Sequence, residues 1–139
     1  MLAKSHRLSN EKEILKAQRS KFNSSNQHFK AILLKNKLPN SRFCVIISKK
    51  VLKRSNQRHR LKRRILGLIE QVIIPKSVLS KTYDVVFFCN NKQGLHLNPT
   101  ELNDDLLKLI LEAENKSKNY FQKNYQSRSS DNKAGLAHR

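Results

Sequence analysis

Basic residues crowd the segment 49–64, which reads KKVLKRSNQRHRLKRR and has nine Lys or Arg in sixteen positions. No Asp or Glu occurs between Ile14 and Ile69. Guanidinium and ammonium groups bind phosphates by charge and by hydrogen bonding, whereas an isolated basic run is often only a solvated face. A run of this length without interleaved acids predicts a binding surface for RNA or DNA.

The overall composition supports a polyanionic partner. The 139 residues include 29 Lys or Arg and 10 Asp or Glu, which gives a net charge of +19. A field of this strength favours association with nucleic acid. Hydrophobic residues make up 37%, enough for the core of one modest domain. The sequence has neither an apolar membrane span nor a secretory signal, so we expect a cytoplasmic protein with no membrane partner and no obligate protein partner.

Residues that could catalyse phosphodiester hydrolysis are missing from the basic segment. Most acidic residues follow position 69, so no carboxylate cluster is expected beside the basic surface to hold the metal ions that many protein nucleases use. The three glycines form no phosphate loop, and the histidines have no metal-site spacing. His59 lies among cations and is expected to be a neutral hydrogen-bond donor to RNA or to a neighbouring group, and not a catalytic base. Cys44 and Cys89 lie in apolar runs and are expected to be reduced core thiols. We therefore assign no catalytic and no metal-binding residue to this chain.

The basic segment lies between two apolar runs that predict strands. Residues 42–48 are apolar on both faces, which indicates a central strand, and residues 83–89 predict a further core strand. Residues 28–34 predict another strand, and the turn-rich stretch KNKLPNS after it favours a hairpin with 42–48. From about Ser55 the period is helical, so the basic helix is expected to connect two parallel strands in a βαβ unit.

The face that this helix buries can be predicted by placing successive residues 100° apart around the helix axis. The wheel places Arg60, Arg63 and Arg64 together on a flank away from the apolar stripe. The stripe consists of Leu61, Ile65, Leu68, Ile69 and Val72.

Two more helices are predicted from their caps. Ser9 or Asn10 can cap a helix near residues 10–20, and Asn98 with Pro99 and Glu101 marks the start of the last helix. Beyond about residue 118 the chain is polar and without period. The chain therefore divides into one α+β domain, residues 1–118, and a basic, disordered tail, residues 119–139.

The order α-β-β-α-β-α and two adjoining motifs resemble the protein subunit of bacterial ribonuclease P. The family reads Ser-Lys-Lys-Val followed by Arg-Asn-Arg-x-Lys-Arg-x-x-Arg-Glu. This chain has Ser48-Lys49-Lys50-Val51 and Arg58-His59-Arg60-Leu61-Lys62-Arg63, and near its start Lys4-x-x-Arg7-Leu8. The resemblance covers about residues 2–115. His59 stands in place of Asn, Leu66-Gly67 in place of Arg-Glu, and the connection between the motifs is one residue longer.

The resemblance implies a fold and a function. The fold is an α+β sandwich with a central sheet and a left-handed βαβ crossover, similar to the second domain of ribosomal protein S5. The function is that of a ribonucleoprotein endonuclease subunit that binds the catalytic RNA and the 5′ leader of precursor tRNA. Mg²⁺ would act through the RNA, which performs the hydrolysis, and not through a protein site.

The residues expected to contact the catalytic RNA follow from the same motifs. They are Arg58, His59, Arg60, Lys62, Arg63 and Arg64 of the helix, with Lys49, Lys50, Lys53 and Arg54 before it. In the family, aromatics of the first helix and strand hold the leader. The aligned positions here are Ile14, Gln18 and Ile32, which leaves Phe29 as the expected leader contact.

Two other classes of protein share parts of this pattern. A noncatalytic RNA-binding protein of the ribosomal type would have the same size and charge. A DNA-binding regulator is less compatible, because the basic helix connects two strands and has no helix-turn-helix partner or dimerisation heptad in the sequence.

Overall fold

The computed structural model describes the backbone of residues 2–137 and the side chains of residues 2–121. It is an α+β fold with a four-stranded sheet of order β1-β2-β4-β3, in which β3 is parallel to β4 and the other pairs are antiparallel. The elements are α1 Glu11–Gln18, β1 Phe22–Ser25, β2 Phe29–Lys35, β3 Arg42–Ile46, α2 Ser55–Leu68, β4 Tyr83–Cys89 and α3 Pro99–Ala137. The predicted fold class and the parallel βαβ unit are confirmed.

Side-chain caps fix where α1 and α3 begin, as predicted. Asn10 Oδ1 accepts hydrogen bonds from the backbone N–H groups of Lys12 and Glu13, at 3.0 and 3.2 Å. Asn98 Oδ1 accepts from the backbone N–H of Glu101 at 2.8 Å. These contacts satisfy donors that the first helical turn leaves without partners.

The strand order corrects the predicted hairpin. Leu33 of β2 and Phe43 of β3 both pair with Val85, so β4 lies between β2 and β3. Consequently β3 is an edge strand and not the central one, and its Cys44 is only half-buried. The strand with the most buried side chains is β4. It lies between β2 and β3, so neighbouring strands cover both of its edges while helices cover its faces. The short strand β1 was not predicted, because FNSS has almost no apolar content.

The sheet is covered on both faces. One face packs against α2 and α3, and its largest fully buried side chains include Phe29, Leu61, Ile65, Phe87 and Leu106. The other face packs against α1 through a smaller cluster that contains Leu8, Ala17 and Val86. Both cysteines are free thiols, Cys89 in the larger cluster and Cys44 beside the smaller one, and burial raises the pKa of each.

The apolar stripe of α2 is confirmed over its first turns and shifts at its end. Leu61, Ile65 and Ile69 are fully buried. After them the helix widens into a π-turn, Ile69–Ile73, in which the N–H of Ile74 donates to the carbonyl of Ile69 at 3.0 Å. The wider turn places Ile73 in the core, whereas Val72 is half-buried.

The helix α3 passes the predicted start of the tail without a break. Tyr120 and Phe121 contact the ring of Phe22, with centroid distances of 5.4 and 5.8 Å, so these first residues of the predicted tail pack on the sheet. This corrects the position at which disorder was expected to begin. The rest of the predicted tail, from residue 122, lies outside the residues whose side chains are described.

A buried ion-pair network joins α1 to the sheet. The guanidinium of Arg42 binds both carboxylate oxygens of Asp84, with Nε–Oδ1 at 2.9 Å and Nη2–Oδ2 at 2.8 Å, and also contacts Glu13. Asn36 Nδ2 donates to Asp84 Oδ1 at 2.8 Å. The hydrogen bonds to Asp84 and Glu13 raise the pKa of Arg42 above its usual value. Asp84 is 5% exposed, so its charge depends on these partners.

Candidate nucleic-acid-binding surface

A turn stabilised by Ser48 presents the first lysines of the basic segment. The backbone N–H groups of Val51 and Leu52 donate to the carbonyl of Ser48, at 3.0 and 3.1 Å, and Ser48 Oγ accepts from the N–H of Lys50 at 3.1 Å. Leu52 is 4% exposed and anchors the segment in the core. The chain between β3 and α2 is therefore held on the body of the protein, while Lys49 and Lys50 are exposed.

Eight of the ten predicted RNA contacts are exposed together, and we call them the basic surface. Four precede α2 or cap it, and four lie on the helix side that faces away from Leu61 and Ile65. They are Lys49, Lys50, Lys53, Arg54, His59, Arg60, Lys62 and Arg63. Because the buried stripe fixes the rotation of α2, these side chains point to solvent without any rearrangement of the core.

The other two predicted contacts, Arg58 and Arg64, bind backbone carbonyls. Arg58 Nη1 donates to the carbonyls of Leu52 and Lys53, at 2.8 and 2.9 Å. Arg64 Nη1 donates to the carbonyl of Leu95 at 2.7 Å, and its Nη2 donates to the carbonyl of Leu97. Arg58 thus fastens the preceding segment to α2, and Arg64 fastens α2 to the chain before α3. RNA contact by these two residues stays a prediction.

Arg64→Gln is expected to lower the free energy of unfolding by about 1–3 kcal/mol, because two partly buried carbonyls lose their donors. Urea denaturation of both proteins measures the difference. The neighbouring variant Arg63→Gln is the matched control, and it should stay within about 0.5 kcal/mol of the parent because Arg63 is exposed. Equal stability of the two variants would show that the contacts of Arg64 are not needed for folding.

Phe29, the expected leader contact, is fully buried. Its exposed fraction is 0%, and a Cβ built on Gly94 would lie 2.9 Å from its Cζ. Gly94 therefore packs directly on the ring, as only a residue without a side chain can. A nucleotide base cannot stack on Phe29 unless the core opens, which corrects the prediction.

A row of half-buried side chains lies on the opposite face of the sheet. Lys30 pairs with Phe88, and Phe88 pairs with Ile46, so the three side chains cross three strands on the face that carries α1. Val86, two residues before Phe88, is fully buried. Phe88 belongs to the strand predicted as core, residues 83–89, but it is a partly accessible aromatic. The available signal was Asp84, which shares this face with Val86 and Phe88 and makes it less apolar than the face of Val85 and Phe87.

Two absences concern only the residues that the structure describes. Within residues 2–121, no three His, Cys, Asp or Glu side chains are placed to hold a metal ion. Among the helices of the described chain, none combines the length and the apolar composition needed to cross a membrane.

An α+β fold that exposes a fixed basic surface defines a nucleic-acid-binding protein. The family model of ribonuclease P matches residues 2–114. The chain belongs to the ribonuclease P protein family, which confirms the resemblance of the motifs. It is an RNA-binding subunit of ribonuclease P that takes part in tRNA processing, and its implied partner is the ribonuclease P RNA. The match does not support the ribosomal or the DNA-binding alternative.

Solved structures share the fold at low sequence identity. The RNase P protein of Staphylococcus aureus is 16% identical with a TM-score of 0.63, over 76% of this chain and 92% of that chain. A mutant of that protein with defective mRNA degradation activity is 18% identical with a TM-score of 0.66, over 77% and 86%. The RNase P protein of Thermotoga maritima is 22% identical with a TM-score of 0.64, over 76% and 94%. The search of curated sequences found no significant match.

Proposed function

We propose that this subunit binds the catalytic RNA through its basic surface and the 5′ leader of precursor tRNA through the sheet. In this way it supports the Mg²⁺-dependent removal of the leader. The observation that carries the proposal is the basic surface itself, eight exposed side chains from 49 to 63 on a scaffold of the ribonuclease P family. Cytoplasmic location is part of the same proposal.

The basic surface suits RNA phosphates in two ways. Arg60 and Arg63 are three residues apart on α2, so they are neighbours on the helix surface and can contact successive phosphates of one strand. The planar guanidinium binds phosphate oxygens through two parallel hydrogen bonds. Lys49, Lys50 and Lys53 add positive charges, which attract the phosphate backbone of RNA whatever its base sequence. Binding of this kind recognises the shape and charge of the RNA.

The leader would follow the row Lys30, Phe88 and Ile46. This row ends at β3, and the chain that leaves β3 carries Lys49 and Lys50. A single strand lying on the row can stack one base on Phe88 while its phosphates meet Lys30 at one end and the basic surface at the other. With one accessible aromatic, the contact is expected to be largely indifferent to base identity.

The hydrolysis is assigned to the RNA subunit, with Mg²⁺ bound by RNA. The chain contributes no acidic residue between positions 14 and 69, the part that forms the basic surface. What the protein supplies is neutralisation of phosphate repulsion, which lets the two RNAs approach at lower Mg²⁺ concentration.

Cleavage of precursor tRNA at low Mg²⁺ is expected only when the protein and the catalytic RNA are combined. The protein alone should give no product, because it has no residues assigned to the chemistry. The RNA alone should need higher Mg²⁺ to overcome the repulsion. Gel analysis of the 5′ product over a Mg²⁺ series measures both effects. Cleavage by RNA-free protein, after removal of contaminating nucleases, would contradict the proposal.

The same reconstitution tests the leader surface. Phe88→Leu keeps an apolar side chain and removes the ring, so affinity for a precursor with a single-stranded leader should fall about five- to tenfold, the loss of one stacked base. Affinity for matured tRNA, which has no leader, should not change. An equal loss with both RNAs would show that Phe88 supports the fold or the catalytic RNA instead.

A further inference from the structure

Three aromatic residues form a partly exposed cluster at β1, which we call the aromatic cluster. The ring centroids of Phe22, Tyr120 and Phe121 are separated by 5.4, 5.8 and 5.5 Å. Although the rings pack on one another, Tyr120 is 39% exposed and Phe121 is 46% exposed. Large aromatic surfaces left open to water in one place often mark a binding site.

Lysines surround the aromatic cluster. The Nζ of Lys21 lies 3.4 Å from the ring centroid of Tyr120, and the Nζ of Lys35 lies 5.3 Å from that of Phe121. Lys81 lies two residues before Tyr83, the strand partner of Lys35, and its positive charge lowers the pKa of Lys35. Like charges so placed repel, and an anion between them would relieve the repulsion.

The aromatic cluster is separate from both surfaces described above. It lies at β1, which forms one edge of the sheet, whereas β3 and the basic segment lie at the other edge. Phe22 pairs with Leu33, so its ring is on the face covered by α3 and not on the face of Phe88. Tyr120 and Phe121 also follow residue 114, where the family match ends.

We propose that the aromatic cluster and its lysines form a second RNA site, which binds unpaired nucleotides. Lys21 leaves the ring of Tyr120 to contact a phosphate, bases stack on the rings of Tyr120 and Phe121, and Lys35 contacts the next phosphate. Aromatic faces next to cations are the chemistry by which single strands are bound without sequence preference. A second copy of this chain fits less well, because two surfaces of a protein with a net charge of +19 repel each other. The site does not depend on ribonuclease P activity.

Tryptophan fluorescence gives a local test, because the chain has no Trp. In the Tyr120→Trp variant the only indole lies in the aromatic cluster, and a ten-nucleotide oligoadenylate is expected to quench its emission by stacking. The matched control is Leu111→Trp, which is exposed and lies nine residues earlier on α3, half a turn away around the helix. Quenching should be small in the control. Equal or absent quenching in both variants would overturn the proposal.

Affinity gives the second test. The double variant Tyr120→Leu/Phe121→Leu keeps the lysines and the apolar contact with Phe22 but removes two rings. Its affinity for the oligoadenylate should fall at least about fivefold, while its affinity for an abasic strand of the same length should match that of the parent. An unchanged affinity for the oligoadenylate, with the fold intact by circular dichroism, would overturn the proposal. If the double variant does not fold, the fluorescence result decides.

Two further results identify the molecule that binds to the aromatic cluster. Quenching of the Tyr120→Trp variant by the catalytic RNA or by precursor tRNA, each added alone, identifies which RNA supplies the nucleotides, and either result supports the site. A concentration-dependent dimer of the parent that the double variant abolishes, with no quenching by RNA, would assign the cluster to self-association and overturn the proposal. The cleavage assay is separate, so failure of this site and failure of the proposed function can be distinguished.

Discussion

Replacing Arg60, Lys62 and Arg63 with Gln is expected to weaken binding of the ribonuclease P RNA about a hundredfold at physiological salt. Each lost phosphate contact removes roughly 0.7–0.9 from the slope of log K against log salt, so three contacts remove about 2–3. The three side chains are exposed and lie on the outer side of α2, so the fold should survive. Binding measured by filter retention over a salt series gives the affinity and the slope together.

The control for this experiment removes three positive charges from outside the basic surface. Lys12, Lys37 and Lys76 are exposed and lie outside the basic surface, on α1, after β2 and after the π-turn. Their replacement with Gln leaves the same net charge as the first variant, so a general loss of positive field would weaken both proteins equally. A loss confined to the α2 variant identifies a specific contact surface. If the affinity and slope of the α2 variant remain those of the parent, these residues form only a solvated face.

Arg42→Met is expected to lower the free energy of unfolding by about 3 kcal/mol, near the lower end of the range for breaking a buried ion pair. Asp84 would keep the hydrogen bond from Asn36 but would lose its only described cation, and the side chain of Asp84 is 7% exposed. The loss is a large share of the about 5–15 kcal/mol that stabilises a typical domain. Urea denaturation at neutral pH measures it.

Two variants of the ion-pair network around Arg42 separate the contribution of Glu13 from that of Asp84. Glu13→Gln should cost less than about 1 kcal/mol, because Glu13 is 43% exposed and water replaces the lost partner. The double variant Arg42→Met/Asp84→Val removes the buried carboxylate together with its partner, and it should recover much of the stability that Arg42→Met loses. If the double variant is less stable than Arg42→Met alone, Asp84 contributes to the fold through contacts other than Arg42.

Local patterns in the sequence were sufficient for most of the elements. The caps at Asn10 and Asn98, the strand at 83–89 and the buried stripe that begins at Leu61 were all predicted from residues within one or two turns of each other. Such patterns are reliable because a capping side chain or an apolar stripe acts over a few neighbouring residues. The basic helix and the family motifs are equally local. The sequence could therefore indicate an RNA-binding subunit of ribonuclease P.

The sheet order could not be predicted in the same way. The apolar pattern of residues 42–48 shows that both faces of the strand are covered. It does not show whether the strand lies at the edge or in the centre of the sheet. The pairing of β3 with β4 joins residues that are about forty positions apart, and the short turn after β2 suggested a hairpin that does not form. The choice depends on which arrangement buries the most apolar area for the whole chain.

Residue types at short spacing were sufficient to predict the charge of this protein, most of its secondary structure and its family. Which charged and aromatic side chains are available to RNA depends instead on the folded arrangement. Arg64 binds carbonyls that lie 31 and 33 positions away, Phe29 is covered by Gly94, and Tyr120 and Phe121 meet Phe22 across the edge of the sheet. Accessibility and hydrogen bonding are set by neighbours in space, and the chain brings such neighbours together from distant positions only when it folds.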